Sequence, residues 1–200
     1  MMMPIFTRKY DVPAVNIKKV LHYSGTKEEN PEILALANRA ISESENIFTY
    51  KVCYRIFDVA IKDGSLDLGF ATVTSCDLMR NLSGCQKIVL FAATVGAAVD
   101  RAIARVAVTS PALALMVDAL ATERIEALCD VFCEDIEKEY GKTRPRFSAG
   151  YGDLPLELQR DIFVSLDCPK KIGLTLTDSL LMSPSKSVTA IIGIGSEKAR

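Results

Sequence analysis

The sequence predicts an α+β fold in which an antiparallel sheet, built from N- and C-terminal hairpins, packs with helices that include one long central helix. Strand-like segments occur in pairs near both ends of the 200-residue chain, whereas helical patterns occupy its middle. The longest helical pattern runs from residue 110 to 140. Strands that follow one another through short turns favour antiparallel pairing over the helical crossovers that a doubly wound parallel sheet needs.

The N-terminal part predicts a helix followed by a β-hairpin. Residues 31–42 place apolar side chains at helical spacing, with Asn30 as the N-cap and a proline in the first turn. Residues 47–61 alternate and are rich in Val, Ile, Tyr and Phe, as expected of a strand. Residues 62–65 (KDGS) then form a turn, and residues 66–73 return as the second strand.

The middle of the chain predicts helices around one buried strand. A short helix spans residues 75–82, the buried strand spans 87–94, and residues 96–108 have the small side chains of a closely packed helix. The long helix at 110–140 begins with a serine N-cap and is followed by a glycine, which is typical of a helix end.

The C-terminal part predicts another short helix and a second hairpin. The helix spans residues 155–166, and we expect Asp153 to cap it. Alternating residues at 173–178 and, after a turn, at 188–194 form the strands. No repeat, low-complexity tract or linker interrupts the chain, so we expect residues 1–200 to form a single domain.

Composition and charge argue against several classes of partner. The formal net charge is −1 and acidic and basic residues are mixed along the chain, so we expect no nucleic-acid partner. The longest uncharged apolar run, at 88–99, is shorter than the roughly 20 residues that a bilayer span needs. The N-terminus shows no signal-peptide pattern. We therefore expect no membrane association and a cytoplasmic location.

Residues that carry catalysis in many enzymes are scarce. His22 is the only histidine, so triads and zinc hydrolase sites fit poorly. Cys129 and Cys133 are four residues apart, but no third ligand is near them in sequence, and we expect no resident metal. There is no phosphate-binding loop motif. These exclusions leave one kind of site, in which the protein holds a reactive cofactor by charge and shape. We therefore expect no catalytic side chain.

The segment Arg144–Pro155 (RPRFSAGYGDLP) is the strongest candidate for such a site. It places Arg146, Ser148, Gly150 and Tyr151 in an order that suits neither a regular helix nor an amphipathic strand. Loops that combine a guanidinium group, a glycine and an aromatic ring usually serve a ligand. The alternatives are a surface salt bridge for Arg146 and packing against the next helix for Tyr151.

Several segments resemble the activation (reactivation) domain of cobalamin-dependent methionine synthase. RFSAGYGDLP matches the RxxxGY segment of that domain, and DALATERIEA at 118–127 is similar to the helix before it. IGLTLTDSL at 172–180 and SVTA at 187–190 resemble the stretches that follow. The resemblance is specific over about residues 110–195 and looser before them.

The resemblance implies an S-adenosylmethionine site. Arg146 matches the arginine that pairs with the methionyl carboxylate, and Glu126 matches the helical glutamate beside the amino and sulfonium end. Ser148 and Gly150 match positions that meet the cofactor mainly through their backbone. Tyr151 matches the tyrosine that closes the site.

The function implied by the resemblance is that of a reactivation subunit, a component of a methyltransferase rather than a complete enzyme. A partner methionine synthase chain would carry cobalamin, and a flavodoxin-like protein or another reductant would supply one electron to cob(II)alamin before methylation. The sequence departs from the family pattern at Thr122-Glu123, where an Asp-Arg pair is common, and at Ile191-Ile192, where an aromatic residue is expected. The alternatives are a reactivator of another corrinoid methyltransferase protein and a docking module that does not bind S-adenosylmethionine.

Overall fold

The protein, described by a computed structural model over residues 4–26, 30–62 and 64–195, combines helices with antiparallel sheets. The strands are β1 (Phe6–Lys9), β2 (Lys51–Asp58), β3 (Ala60–Lys62), β4 (Ser65–Asp67), β5 (Thr72–Val73), β6 (Lys87–Thr94), β7 (Thr175–Leu176), β8 (Met182–Ser183) and β9 (Ser187–Ile194). The helices are α1 (Ile17–Tyr23), α2 (Pro31–Ser44), α3 (Cys76–Asn81), α4 (Ala98–Ala107), α5 (Pro111–Tyr140), α6 (Gln159–Leu166) and α7 (Cys168–Ile172). A 3₁₀ turn at Leu156–Leu158 precedes α6.

The central sheet has four antiparallel strands in the order β1-β2-β6-β9. β2 and β6 pair along their whole lengths, from Lys51 opposite Thr94 to Asp58 opposite Lys87. β1 is an edge strand that pairs with β2, and its Lys9 lies opposite Lys51. The α+β class with antiparallel strands is therefore confirmed, and the strands of this sheet come from widely separated parts of the chain.

Both faces of the central sheet are buried. Val89 and Phe91 of β6 pack towards α5, whereas Ile88 and Leu90 of the same strand pack towards α6 and α7. Successive side chains of a strand point to opposite faces, so a strand covered on both faces is apolar at nearly every position. This explains the continuous apolar run that predicted β6.

The long helix α5 connects two cores. Its N-cap is Ser110, whose side chain accepts a hydrogen bond from the N–H of Leu113 at 3.4 Å. Its first half packs against α1 and α2 through residues such as Leu120. Its second half packs on the central sheet through Leu128 and Phe132. The predicted long central helix is confirmed, from a start at residue 111 to an end at 140.

The predicted N-terminal hairpin is formed by different residues than expected. The segment 47–61 divides, because β2 joins the central sheet while β3 pairs with β4. The turn between β3 and β4 is confirmed by the pairing of Lys62 with Ser65, although Asp63 lies outside the described residues. β2 is buried on both faces, whereas all three residues of β3 are exposed. The first half of the segment therefore suits the covered central sheet, and the second half suits the more exposed sheet of β3 and β4.

The predicted C-terminal strands also have other partners. β7 pairs with β8 in a two-stranded sheet, while β9 pairs with β6 over its whole length. β9 is apolar along most of its length, and in the central sheet both of its faces are buried. In the described part of the chain, no helix combines the length and the apolar character needed to cross a bilayer.

Candidate functional site

The candidate site is built on residues 143–155, which we call the arginine–tyrosine segment. It first runs along the free edge of β9, where the N–H of Arg144 donates to the carbonyl of Gly193 at 2.9 Å. Phe147 and Ile191 then exchange both backbone hydrogen bonds, at 2.9 and 2.8 Å. The side chain of Phe147 is buried in the core beneath α6. The first part of the segment is therefore held as an additional edge strand.

Arg146 lies between these anchored residues and reaches across to α5. One Nη atom donates to the carboxylate of Glu126 in a close contact, and the other donates to Oδ1 of Asp130 at 3.2 Å. Glu126 and Asp130 are one helical turn apart, so both carboxylates face the same side of α5. The structure thus brings together Arg146 and Glu126, two of the predicted site residues. It adds Asp130, which the sequence did not single out.

The exposure of these three side chains leaves the ion pair open to a ligand. Arg146 and Glu126 are 27% and 31% exposed, whereas Asp130 is 51% exposed. Burial acts to lower the pKa of Arg146, but the neighbouring acidic groups outweigh it, so the pKa is raised. The guanidinium group therefore keeps its charge at every physiological pH.

Two thiols lie beside the ion pair and are chemically quiet. Burial raises the pKa of Cys129 and also that of Cys133, in spite of the nearby positive charge of Arg146. Protonated thiols are poor nucleophiles and poor metal ligands. No group of three or more metal-ligating side chains occurs in the described ranges.

Beyond Phe147 the segment leaves β9 and opens a cleft of about 490 Å³, which we call the β9 cleft. Its polar side chains are Ser148, Gln159, Ser185, Ser187 and Thr189. Leu156, Met182 and Val188 contribute apolar surface. Ser148 is the predicted site residue that lines this cleft.

The cleft is bordered by backbone groups of β9 that have no partner within the described residues. Because Ile191 directs both its N–H and its C=O towards Phe147, the alternation along a strand directs those of Thr189 and Ser187 to the same outer edge. The arginine–tyrosine segment has already left the sheet at that level. This edge can donate and accept hydrogen bonds to a ligand in the cleft.

Gly150 and Tyr151 form the turn that follows. Gly150 has φ +84°, and its N–H donates to the carbonyl of Leu154 at 2.9 Å. A Cβ atom at this position would lie 3.0 Å from Cδ1 of Leu156, so glycine suits both the dihedral angle and the space. Tyr151 is 70% exposed and meets the ring of Phe147 edge-on, with centroids 5.6 Å apart. It lines a separate shallow depression, so the structure does not bring it to the β9 cleft.

Asp153 has a different role from the predicted one. Its carboxylate accepts hydrogen bonds from the N–H groups of Cys76 at 2.7 Å and Asp77 at 3.2 Å, and from the hydroxyl of Ser75 in a close contact. It therefore caps α3 rather than the helix that follows it in sequence. The bond from Ser75 is the main reason that the pKa of Asp153 is lowered.

The positions at which the sequence departs from the resembled family have structural roles. Glu123 is 2% exposed and contacts the guanidinium group of Arg124 at 2.5 Å. Arg124 also donates to the carbonyl of Pro13 at 2.6 Å, which fastens the N-terminal arm to α5. Thr122 accepts a hydrogen bond from Nζ of Lys186 at 3.0 Å. The Thr122-Glu123 pair thus joins α5 to its neighbours.

Comparison with known proteins gives a match in structure and none in sequence. No protein-family profile matches the chain, and no curated protein matches it. A crystal structure of the MetH reactivation domain bound to AdoHcy aligns with a TM-score of 0.70 and 15% sequence identity. The alignment covers the whole of this chain and 81% of that chain. At this identity the match shows a shared fold, which confirms the fold that the sequence resemblance implies.

Proposed function

We propose that this protein is an S-adenosylmethionine-binding reactivation domain that supports reductive methylation of cob(II)alamin on a cobalamin-dependent methionine synthase chain. The observation that carries the proposal is the accessible ion pair between Arg146 and Glu126. It lies where the RxxxGY resemblance puts the methionyl end of the cofactor. The shared fold with a domain that binds AdoHcy supports the same assignment.

The ion pair suits the amino-acid end of S-adenosylmethionine. That end carries a carboxylate, an ammonium group and a neighbouring sulfonium. The guanidinium group of Arg146 can donate two hydrogen bonds to the carboxylate, while Glu126 faces the two cationic groups. Binding would exchange the Arg146–Glu126 ion pair for two ion pairs with the ligand, so neither Arg146 nor Glu126 loses its counter-charge. Asp130 would keep Arg146 oriented during this exchange.

The β9 cleft suits the nucleoside end. Its volume of about 490 Å³ lies within the usual range of small-molecule sites. Ser148 enters its wall two residues after Arg146, a separation of about 7 Å along an extended chain. The outward backbone groups of Ser187 and Thr189 can meet a nucleobase or ribose without an aromatic side chain. Tyr151, already exposed, would swing from Phe147 to close the site.

The chain's own residues then act by orientation rather than by proton transfer. When bound, S-adenosylmethionine supplies an electrophilic methyl group, and cobalamin on the partner chain accepts it after one-electron reduction by a flavodoxin-like protein or another reductant. Glu126 holds the cationic end of the ligand, and Arg146 holds its carboxylate. Together they fix the direction in which the methyl group leaves.

A docking module that does not bind S-adenosylmethionine is the second candidate, and a reactivator of another corrinoid methyltransferase protein is a variant of the first. The docking module is favoured by one observation, namely that two carboxylates already compensate the charge of Arg146.

Calorimetric titration of the full chain with S-adenosylmethionine and AdoHcy tests the proposal. We expect saturable binding of one ligand per chain and its loss in Arg146→Ala. Glu126→Gln should weaken binding by about tenfold or more, as for other hydrogen bonds to charged groups. Glu134→Gln is the control, since it removes a carboxylate from an exposed position of the same helix away from Arg146 and should keep the affinity.

Circular dichroism and thermal unfolding of each variant separate loss of binding from loss of fold. If the intact protein gives no heat with millimolar S-adenosylmethionine but still binds a cobalamin-carrying protein, the docking module is correct instead. The identity of that partner then distinguishes methionine synthase from other corrinoid proteins.

A further inference from the structure

A second cavity, of about 380 Å³, lies between β2, the residues that follow β4, and α6. We call it the Arg55 cavity. Six of its lining residues are Arg55, Phe57, Phe70, Arg160, Asp161 and Val164. It meets α6 through residues other than Gln159, which borders the β9 cleft, so the two openings are distinct.

Arg55 is an unusual residue for its position. It lies in the middle of β2, opposite Leu90 of β6, and only 8% of its surface is exposed. Its strand neighbours on the same face, Cys53 and Phe57, belong to the hydrophobic core beneath α6. It forms no salt bridge with a carboxylate in the described part of the chain. Charged side chains are rarely buried in this way unless they are paired.

Most of the hydrogen-bonding capacity of Arg55 is unused by the described residues. Nη1 donates to the carbonyl of Ser165, near the end of α6, over a long 3.4 Å. The guanidinium group also lies 5.2 Å from the ring centroid of Phe57. Nε is buried and has no acceptor, and no bond from Nη2 is formed within the described ranges. Nη2 is not among the buried groups, so it is the nitrogen of Arg55 that a ligand in the cavity can reach, and a guanidinium N–H bonds well to a carboxylate oxygen.

The remaining walls of the Arg55 cavity are mainly apolar. The rings of Phe57 and Phe70 stand 5.2 Å apart at an angle of 50°. Val164 is 82% exposed although it is an aliphatic residue. The two charged lining residues besides Arg55 are Arg160 and Asp161, which have opposite signs. The uncompensated charge of the cavity is therefore that of Arg55.

We propose that the Arg55 cavity binds a small organic monoanion in which a carboxylate is joined to an aromatic or aliphatic body. The carboxylate accepts a hydrogen bond from Nη2 of Arg55, and the body packs against Phe57 and Phe70. A free phosphate dianion fits less well, because Arg160 already donates to the carbonyl of Asp178 and Asp161 adds a negative charge.

Benzoate is the first probe, with benzamide as its neutral isostere and inorganic phosphate as a plain anion. NMR of the intact protein follows the arginine Nε–H signal of Arg55 and the methyl groups of Val164. We expect a saturable shift of both signals with millimolar benzoate and none with benzamide at equal concentration. Equal shifts with benzamide would overturn the role of Arg55, and equal shifts with phosphate would overturn the ligand class.

Substitutions at Val164 test the site without touching the core. Val164→Asp places a negative charge beside the cavity, and Val164→Asn is its uncharged counterpart. Benzoate affinity should fall at least about tenfold more in Val164→Asp than in Val164→Asn, because the added carboxylate repels the ligand. Equal affinities in the two variants would contradict the proposal.

Arg55→Met gives an independent measurement. Benzoate should raise the unfolding temperature of the wild type in a saturable way and leave that of Arg55→Met unchanged. If Arg55 only holds the end of α6 through Ser165, benzoate would leave both proteins unchanged, which would refute the site. Titration with S-adenosylmethionine should give the same affinity in both proteins, since the β9 cleft is not altered.

Discussion

Two ion pairs that involve carboxylates of α5 differ mainly in their exposure to water. Arg146 and Glu126 remain about one-third exposed, whereas Glu123 and Arg124 are almost completely buried only one turn earlier. A ligand can compete for the first pair because its charges are partly solvated already. The second pair can be broken only by leaving a charge without compensation. The Arg146–Glu126 pair is therefore suited to binding a ligand, and the Glu123–Arg124 pair to stabilising the fold.

Glu123→Gln should lower the free energy of unfolding by about 3 kcal/mol or more, because Arg124 stays buried without its counter-charge. Chemical denaturation measures the change. Glu134→Gln, on an exposed position of the same helix, is the control and should change stability by less than about 0.5 kcal/mol. Equal effects in the two variants would show that the buried pair does not stabilise the fold.

Asp153 gives a pH dependence with a definite sign. Its pKa is lowered in the folded protein, chiefly by the hydrogen bond from Ser75, so the charged carboxylate stabilises the fold. This stabilisation is complete above the ordinary aspartate pKa near 3.9 and is lost as the pH falls through the lower folded value. The stability difference between wild type and Asp153→Asn should therefore be present at pH 6 and shrink below about pH 4.

Denaturation at several pH values measures this difference. Glu134→Gln again serves as the control, and its difference from wild type should stay small throughout. A constant gap between wild type and Asp153→Asn would contradict the assigned capping role.

At the residue scale, the sequence identified side chains that belong to a recognisable motif. The family resemblance assigned Arg146 and Glu126 to one site, and the structure places them in contact, although their role as cofactor ligands stays a prediction. Asp153 was given the wrong helix, because its partner Ser75 lies 78 residues away along the chain. Nothing in a single sequence shows which distant helix start will lie beside a given carboxylate.

At the scale of elements, helix caps and apolar runs predicted where individual helices and strands lie. α2 begins after the predicted cap Asn30, α3 lies within the predicted span 75–82, and β6 has the predicted bounds. The division between β2 and β3 could not be predicted, because each half is extended and only its partner strand differs. β1 was not predicted either, since four residues with three polar side chains carry too weak a pattern.

Phe132→Ala should lower the free energy of unfolding by about 3–5 kcal/mol, because the ring is fully buried where α5 meets the sheet. It contacts the rings of Tyr10, Tyr54 and Phe91. Val108→Ala, at a position 85% exposed between α4 and α5, should change stability by less than about 0.5 kcal/mol. Urea denaturation of both variants measures the difference. A small effect at Phe132 would mean that α5 is not fastened to the sheet at this point.

At the scale of the whole molecule, the central sheet lies between two helical layers, and β6 lies in the middle of it. Residues 88–95 are fully buried, and β6 has a partner strand on each side. The two-stranded sheet of β7 and β8 has only two residues per strand. This arrangement follows from strand order, which the sequence did not reveal because neighbours in the sheet are distant in the chain.

Hydrogen exchange followed by mass spectrometry should therefore find the slowest amides in β6 and the fastest strand amides in β7 and β8. Exchange of β6 should occur only through global unfolding, so destabilisation by Phe132→Ala should accelerate it in proportion. Faster exchange in β6 than in β1 would contradict the central position of this strand.

The outer edge of β1 faces no other strand within the described residues. An open edge can recruit a strand from a neighbouring copy, and short, charged edge strands are a common defence against that event. Here Lys9 and Lys51 stand opposite one another at one end of the edge, so a strand that approaches β1 meets two adjacent positive charges there. We expect these two charges to oppose edge-to-edge association of two copies, and we expect association through β1 to become stronger when both are neutralised.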